Sequence, residues 1–284
     1  MKNRPDPPDA EQLIRAALEE DLSAPGDITT RALCAPAARS RARIQAKAGG
    51  VIAGLETAAA VFRLVDGSCS IEALSRDGAD AGSGEMLMNL EGPAAALLTA
   101  ERTALNLLGR LSGIATLTRA YVEAVRGTGA QILDTRKTTP GLRALEKYAV
   151  RCGGGINHRS GLYDMFLIKE NHIAAAGGLG PALQRCRRFR REKGLDALIE
   201  VEVSRLEQVS EAIESGADII LLDNMTAEQI SACVVLAGGR VPLEASGNVN
   251  LANVRDIALT GVNRISIGAL THSAPALDIS MMLL

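Results

Sequence analysis

From residue 130 onward, short apolar runs alternate with stretches of helical periodicity, and this alternation limits the possible folds more than any other feature of the chain. The runs are rich in Ile, Leu and Val. Alternating strands and helices of this kind form parallel sheets, because parallel strands need a crossover connection that is usually a helix. The sequence predicts about six such strands, at residues 131–133, 166–168, 198–203, 219–222, 241–244 and 264–267.

Several of these runs finish in a polar residue or a glycine at a similar position. The carboxyl ends of parallel strands meet at one mouth of a barrel, where α/β enzymes have their active sites. A complete barrel of this type needs eight strands, so about six strands predict an irregular, incomplete α/β barrel. The residues expected at its mouth are Asp134, Lys169, Glu202, Asp223, Ser246 and Gly268.

The first part of the chain has a different pattern and predicts an α/β sandwich. Residues 41–48 alternate polar and apolar side chains, which is typical of an antiparallel strand with one solvent-exposed face. Helices are expected at residues 9–21 and 55–65, with further strands near residues 70–75 and 85–90. A long helical stretch at residues 94–126 is predicted to be interrupted near Gly109 and Gly113, since glycine weakens helices.

Two domains follow from this change of pattern. The predicted N-terminal α/β sandwich covers residues 1–112, and the predicted barrel covers residues 113–273. The C-terminal run at residues 277–284 is apolar and partly alternating. It is therefore expected to return to the sandwich as a strand, so that residues 274–284 join the first domain.

The composition excludes several classes of protein. With 47% hydrophobic and 23% charged residues the chain is globular. It lacks the roughly 18 to 20 consecutive apolar residues of a membrane span and the apolar core of a signal peptide, so a cytoplasmic protein without membrane contacts is expected. A net charge of −2 with three Tyr, three Phe and no Trp argues against nucleic acid as a partner. The five widely spaced cysteines predict reduced thiols.

The segment from residue 134 to residue 172 is positively charged within an acidic chain. It holds seven Lys or Arg residues against four Asp or Glu residues. Because guanidinium groups fit carboxylates and phosphates, this segment predicts a site for a small polyanion. Arg136, Lys137 and Lys169, at strand ends, are the better candidates. Arg143, Lys147 and Arg151 have the spacing of a solvent-exposed helix face.

Two other kinds of chemistry are disfavoured. His158 and His172 lack the spacing of a helical zinc pair, and no Cys or Glu in the sequence pattern completes a ligand set. Cys152 lies beside three glycines, and no general base occurs at a sequence spacing that would pair it with this thiol. Cys152 is therefore interpreted as a bystander thiol rather than a nucleophile. His272 is left open between a structural role and a place at the margin of the site.

The motifs of the same segment resemble those of quinolinate phosphoribosyltransferase, also called carboxylating nicotinate-nucleotide pyrophosphorylase. The resemblance covers nearly the whole chain except roughly the first forty residues. It rests on motifs that occur in order, including ERTALN at 101–106, DTRKTTPGLR at 134–143, NHR at 157–159, IKENHI at 168–173, EVEV at 200–203, LDN at 222–224, EASG at 244–247 and IGALTHS at 267–273.

This resemblance implies an enzyme of NAD biosynthesis built from an N-terminal sandwich and an irregular barrel. The implied reaction converts quinolinate and phosphoribosyl pyrophosphate into nicotinate mononucleotide, pyrophosphate and carbon dioxide, with Mg²⁺. The implied assembly is a homodimer, or a higher homo-oligomer, whose sites lie at the interface. Both substrates are polyanions, as the positive segment predicts.

The resemblance also implies roles for particular residues. The carboxylates of quinolinate would be bound by Arg136, His158, Arg159, Lys169 and, across the interface, Arg102. Lys137 would meet the pyrophosphate, and Glu202 and Asp223 would hold the ribose hydroxyls and Mg²⁺. These last three are the expected catalytic residues, and Glu200, which shares the strand face of Glu202, is the less certain choice of carboxylate. The 5′-phosphate would be bound by Ser246, Gly247, Asn248 and Gly268. Many family members have glycine where this chain has Asn248, a mild departure because Asn also adopts left-handed backbone conformations.

Two alternative functions stay open at this stage. One is a related pyrophosphorylase that acts on another substrate, such as the homologues associated with molybdenum transport. The intact motifs at residues 134–138 and 157–159 argue against it. The other is a non-catalytic anion-binding protein with the same fold, which would bind quinolinate without forming product under any metal condition.

Overall fold

The structure is a computed structural model that describes residues 7–284. The described chain up to residue 124 forms, in order, α1 (Glu11–Leu22), α2 (Ile28–Leu33), β1 (Arg39–Ala46), β2 (Gly50–Val51), α3 (Leu55–Val65), β3 (Ser70–Ala73), β4 (Asp80–Ala81), β5 (Met86–Pro93) and α4 (Ala94–Ala124). The rest forms β6 (Gln131–Leu133), α5 (Arg143–Cys152), β7 (Phe166–Ile168), α6 (Glu170–Ala176), α7 (Leu179–Lys193), β8 (Ile199–Val203), α8 (Leu206–Glu214), β9 (Ile219–Asp223), α9 (Ala227–Ala237), β10 (Leu243–Ser246), α10 (Val254–Leu259), β11 (Arg264–Ser266), α11 (Ala269–His272) and β12 (Ile279–Leu283).

The chain divides into two compact units. The first contains the described residues up to Arg119 together with residues 138–154 and 269–284, and the second contains residues 120–137 and 155–268. The units follow the packing of the chain, so the first takes up α5 as well as the C-terminal segment. The domain boundary at residues 112 and 113 stays a prediction.

The first unit is built on a four-stranded antiparallel sheet with the order β12-β1-β5-β3. The alternation in β1 buries Ala42, Ile44 and Ala46 and leaves Arg41 and Arg43 exposed. These apolar side chains join a core that includes Phe62 of α3 and Leu97 of α4. The C-terminal segment supplies the edge strand β12, which pairs with β1 along its length.

Helix α4 is continuous through the two glycines where an interruption was predicted, so that prediction is wrong. The C-terminal segment packs against these two positions. A Cβ atom at Gly113 would overlap the carbonyl oxygen of Pro275, and one at Gly109 would lie 2.9 Å from the carbonyl oxygen of Leu277. The backbone N–H of Leu277 donates to the carbonyl of Gly109 over 2.9 Å. Both glycines therefore allow two stretches of backbone to approach each other and do not break the helix.

Substituting Gly113 by Ala tests this interpretation. Alanine has the higher helix propensity, by about 1 kcal/mol, so an isolated helix would gain stability. Here the added methyl group meets backbone that cannot move aside cheaply, and we expect a net loss of about 1–3 kcal/mol in the free energy of unfolding by urea denaturation.

Gly67→Ala is the matched control, because no atom lies within 4 Å of a Cβ at that position. We expect that variant to stay within about 0.5 kcal/mol of the parent protein. A stabilised Gly113→Ala protein would contradict the close approach of residues 275–277.

The second unit contains six parallel strands in the order β6-β11-β10-β9-β8-β7. The predicted number of strands is thus confirmed. The strands follow one another around the sheet in chain order, except that β6 pairs with β11 and not with β7. On the other side of β6, the chain at Ile156 forms a single parallel bridge to Leu133. The second unit is an irregular, incomplete α/β barrel, and the first unit contains the smaller antiparallel sheet, which confirms the fold class.

The central strands of the second unit are buried, as parallel strands covered by helices must be. In β8 and β9 every residue is buried except Glu202 and Asp223, which are partly accessible to solvent, and the buried residues include Glu200. Among residues 7–284, no helix combines the length and the apolar character needed to cross a membrane.

Candidate active site

The six residues predicted at the mouth of the barrel all lie at the carboxyl ends of parallel strands. Glu202, Asp223 and Ser246 belong to the last two positions of β8, β9 and β10, and Asp134 and Lys169 directly follow β6 and β7. Gly268 follows β11 after one further residue. Because these strands are parallel neighbours, their ends gather the six residues at one end of the second unit.

Asp134 fixes the segment that carries His158. Its carboxylate is fully buried and accepts hydrogen bonds from the backbone N–H of His158, over 2.9 Å, and from the side-chain amide of Asn157, over 2.5 Å. The backbone N–H of Asp134 in turn donates to the carbonyl of Ile156. Asp134 therefore orients the residues opposite β6.

Both ring nitrogens of His158 are engaged within the protein. The backbone N–H of Arg159 donates to Nδ1 over 2.8 Å, so Nδ1 is an acceptor and the ring proton lies on Nε2. Nε2 then donates to Oε2 of Glu200 over 2.9 Å, and Oε1 of Glu244 lies 3.4 Å away. In this state the ring is neutral, and it connects the backbone of Arg159 to two buried carboxyl groups.

Glu200 and Glu244 are both fully buried beside the ring of His158. Burial raises the pKa of Glu244, and the negative charge of Glu200 raises it further, against a smaller lowering by His158. Two adjacent buried carboxylates repel each other, and this repulsion favours the protonated form of Glu244. The atoms of His158, Glu200 and Glu244 that could bind a metal lie within 4.8 Å of one another, so this set could also hold a cation.

This cluster was missed at the sequence level in two respects. Glu244 was recognised only as part of a motif, and no glutamate was expected to complete a ligand set with His158. The three residues are far apart in the chain, and only the pairing of the strands brings them together. The available signal is an acidic residue flanked by apolar residues within a strand, Glu200 in β8 and Glu244 in β10.

Two arginines at the same end of the unit, Arg136 and Arg159, lie close enough for their positive charges to interact. Among the described residues, Nε of Arg136 is buried without a hydrogen-bond partner. Burial lowers the pKa of Arg159, and the positive charge of Arg136 lowers it further. The Arg159 guanidinium donates to the backbone carbonyl of Met165 over 3.2 Å. Two partly buried guanidinium groups that repel each other are a favourable place for an anion.

The other mouth residues combine one lysine with two carboxylates. Nζ of Lys169 lies 3.8 Å from a carboxylate oxygen of Glu202. Burial raises the pKa of Glu202, Lys169 opposes this shift, and the negative charge of Asp223 adds to it. Asp223 also accepts a hydrogen bond from the side chain of Asn224 over 2.8 Å. These carboxylates therefore form a negative region beside the arginines.

Tight turns follow β9 and β10 and form a polar cradle. The backbone N–H of Asn224 donates to the carbonyl of Ser246, and the side chain of Asn248 donates to that of Asn224 over 3.0 Å. A Cβ atom at Gly247, where φ is +93°, would overlap the side chain of Asn224. Asn248 has a left-handed backbone with φ of 54°, as expected for a residue that replaces glycine. The turns line a cavity of about 280 Å³.

Two further predicted residues are exposed in the structure. Arg102 is exposed on α4 in the first unit. Lys137 is exposed, and its backbone N–H donates to the side chain of Thr135 over 3.0 Å. Asn224 and Asp134 belong to the site by their contacts, although neither was predicted to bind a ligand.

The chain matches two family models along most of its length. Residues 27–112 match the N-terminal domain of quinolinate phosphoribosyl transferase, and residues 114–282 match its C-terminal domain. A Mycobacterium leprae protein named nicotinate-nucleotide pyrophosphorylase (carboxylating) is 46% identical over 277 residues, which cover 96% of each chain. A Bacillus subtilis protein named probable nicotinate-nucleotide pyrophosphorylase (carboxylating) is 44% identical over 270 residues, covering 95% of this chain and 92% of the relative.

A solved structure has the same fold. The nicotinate-nucleotide pyrophosphorylase of Francisella tularensis superimposes with a TM-score of 0.92 at 39% identity, covering 97% of this chain and 96% of the other. The fold and the two matched domains are those of a phosphoribosyl-transferring enzyme. The chain belongs to the quinolinate phosphoribosyltransferase family.

Exchanging each buried glutamate for Gln tests the proton assignment at His158. Glu200→Gln removes the carboxylate that accepts the hydrogen bond from Nε2–H of His158. We expect it to lower the free energy of unfolding by about 1.5–3 kcal/mol. Glu244→Gln resembles a glutamic acid that is already neutral, and it should cost clearly less.

The pH dependence of unfolding supplies the second measurement. A raised pKa in the folded state means that the folded protein binds more protons than the unfolded chain, so stability falls as pH rises from the ordinary glutamate range through the raised value. Glu244→Gln should make this fall shallower. A greater loss of stability in Glu244→Gln than in Glu200→Gln would contradict the assignment.

Proposed function

We propose that this protein transfers the phosphoribosyl group of phosphoribosyl pyrophosphate to quinolinate with decarboxylation, as a step of de novo NAD biosynthesis. The products are nicotinate mononucleotide, pyrophosphate and carbon dioxide. The observation that carries the proposal is the pair Arg136 and Arg159, two partly buried arginines whose charges repel each other and of which Arg136 has a buried donor without a partner among the described residues, at the same strand ends as two carboxylates. Such a site suits a dianionic pyridine beside a ribose. The names of the relatives support the same reaction.

The quinolinate carboxylates would be bound by Arg136, Arg159 and Lys169. His158 would contribute by fixing the backbone of Arg159, since its own ring nitrogens bond to protein groups. Arg102 of the partner subunit in a homodimer would complete the set. In the proposed homodimer, Arg102, which is exposed in the first unit, would bind a carboxylate of quinolinate in the partner's site.

Phosphoribosyl pyrophosphate would lie across the remaining strand ends. Lys137 would meet the pyrophosphate, and Glu202 and Asp223 would accept hydrogen bonds from the ribose hydroxyls. The turn after β10 would surround the 5′-phosphate with backbone N–H groups, since left-handed turns point such groups at anions. The residues proposed to bind the 5′-phosphate are Ser246, Gly247 and Asn248 at this turn, together with Gly268 after β11.

The same two carboxylates fit a magnesium ion. The negative charge of Asp223 raises the pKa of Glu202, so the two carboxylates repel each other, and a cation between them would relieve this repulsion. Mg²⁺ usually keeps several waters and binds one or two protein carboxylates together with substrate phosphates. When bound, the ion would neutralise charge on the departing pyrophosphate. Glu202 and Asp223 would hold it directly or through water.

The reaction needs positioning and fixed charge more than a protein base. The pyridine nitrogen bonds to C1 of the ribose as the bond from C1 to the pyrophosphate oxygen breaks, and pyrophosphate leaves with that electron pair. Fixed cations that hold the reactants in line lower this barrier. The glycosylated ring is then cationic. It stabilises the carbanion left when the C2 carboxylate departs as carbon dioxide, and a proton then replaces the carboxylate at C2.

A product assay tests the proposal. We expect purified protein with phosphoribosyl pyrophosphate and Mg²⁺ to convert quinolinate into nicotinate mononucleotide, and to leave nicotinate unchanged in a parallel reaction. Turnover of nicotinate would show that the site does not require the second carboxylate. No product with either compound would favour a related pyrophosphorylase with another substrate, or an anion-binding protein.

Removing the Arg136 side chain tests the carboxylate site. We expect Arg136→Ala to lower kcat/KM for quinolinate by about 100-fold or more, in the range found when one fixed donor is removed from an active site. Arg188→Ala is the control, because it removes an exposed arginine from α7, away from the strand ends. Near-normal turnover by Arg136→Ala would overturn the role of this arginine.

A further inference from the structure

Two chain segments of the first unit begin where residues of the proposed site end. One starts at Thr138, directly after Arg136 and Lys137, and leads to α5. The other starts at Ala269, directly after Gly268, and forms α11. The strands that precede these segments, β6 and β11, are neighbours in the parallel sheet. Anything that fixes the two segments therefore limits where Lys137 and Gly268 can lie.

An ion pair between the partly buried Arg110 and a fully buried carboxylate fixes the first segment. Glu146 of α5 is fully buried, and its carboxylate accepts hydrogen bonds from Nε of Arg110 over 3.2 Å and from Nη2 over 2.8 Å. The same carboxylate accepts the backbone N–H of Thr139 over 3.1 Å and the Thr139 hydroxyl over 2.9 Å. Arg143 adds a hydrogen bond to the hydroxyl of Thr138 over 2.9 Å.

The arginine of this pair also fixes the second segment. Nη1 of Arg110 donates to the backbone carbonyl of Ala274 over 3.2 Å, and Nη2 donates to that of Thr271. One guanidinium group on α4 thus binds a carboxylate and two carbonyls with the planar geometry that only arginine has. Every atom in this network belongs to the first unit, and no residue in it has a role in the proposed chemistry.

The cost of burying such a pair indicates that it does more than stabilise the fold. A buried ion pair contributes little net stability over apolar residues of the same volume, because both charges lose their hydration. Its donors and acceptors do impose a single geometry on the groups they bind. Here those groups are the backbone of Thr139 and the last turn of α11.

We propose that Arg110 and Glu146 are a positioning pair for phosphoribosyl pyrophosphate. The pair holds residues 138–139 and 271–274, so that Lys137 and Gly268 are set for the pyrophosphate and the 5′-phosphate before the substrate arrives. This inference rests on the proposed function. Neither residue is a catalytic residue, because each acts through the backbone that it fixes.

Steady-state kinetics with varied phosphoribosyl pyrophosphate test the pair. We expect Glu146→Gln and Arg110→Lys to raise KM for this substrate about tenfold or more, since displacement of a binding group by about 1 Å has large effects. Purely structural damage would lower the amount of active enzyme, and hence kcat, at unchanged KM. Because the two residues act together, the double variant should be little worse than the poorer single variant.

Arg119→Lys is the matched control. Arg119 lies on the same helix and also binds a carboxylate and two backbone carbonyls, those of Asp80, Gly78 and Gly153, but none of these partners is in residues 138–142 or 271–274. We expect this variant to keep the parental KM. Thr139→Val serves if Glu146→Gln does not fold, because it removes only the hydroxyl bond to Glu146 and should raise KM in the same direction by a smaller factor.

The possible outcomes separate this inference from the function on which it rests. Folded Arg110→Lys and Thr139→Val proteins with the parental KM would overturn the positioning role while leaving the function intact. An equal rise of KM in Arg119→Lys would also overturn it, since the effect would then not be specific to this pair. A parent protein that forms no product would overturn the proposed function, and the inference with it.

Discussion

The structure depends on the fact that parallel strands bring all their carboxyl ends to one end of a sheet. Six strands in the second unit gather acidic, basic and small residues there, although these residues are spread over more than a hundred positions of the chain. Charges brought together in this way must be paired within the protein or left for a ligand. Both solutions occur here, and the difference between them identifies the site.

The charges that are satisfied internally form the framework. Asp134 accepts hydrogen bonds from the backbone of His158 and the side chain of Asn157, and Nε2–H of His158 donates to Glu200. Other buried polar atoms keep no hydrogen-bond partner among the described residues, including Oε1 of Glu200 and Oε2 of Glu244. Nε of Arg136 also has none, and its guanidinium group carries positive charge. The proposed reaction uses this remaining charge, because it requires that two polyanions be held together in a fixed orientation.

Much of the fold was predictable from the sequence because it follows from local patterns. Six apolar runs of strand length specify the six parallel strands, and the alternation in β1 specifies a sheet with one exposed face. The strand-end positions of Lys169, Glu202, Asp223 and Ser246 follow from the same runs. The error at Gly109 and Gly113 has a clear cause. Glycine in a helix signals either a break or a close approach, and only the distant residues 275–277 show which one applies.

The contacts between distant segments were beyond sequence reasoning for the same reason. Glu244 reaches His158 through the pairing of β10 in the sheet, and Glu146 reaches Arg110 through the packing of α5 on α4. No spacing in the chain encodes either pair. The family resemblance supplied roles for residues expected to touch substrate, whereas the structure adds the buried carboxyl groups behind them.

In the proposed mechanism, fixed charge positions quinolinate for phosphoribosyl transfer, and the cationic ring formed by this transfer then drives decarboxylation. The most direct measurement uses quinolinate labelled in the C2 carboxylate, with and without phosphoribosyl pyrophosphate. We expect no labelled carbon dioxide without phosphoribosyl pyrophosphate. When phosphoribosyl pyrophosphate is present, we expect one equivalent of labelled carbon dioxide per nicotinate mononucleotide. Release of label from quinolinate alone, or formation of the nucleotide without release of label, would contradict the proposed order of transfer and decarboxylation.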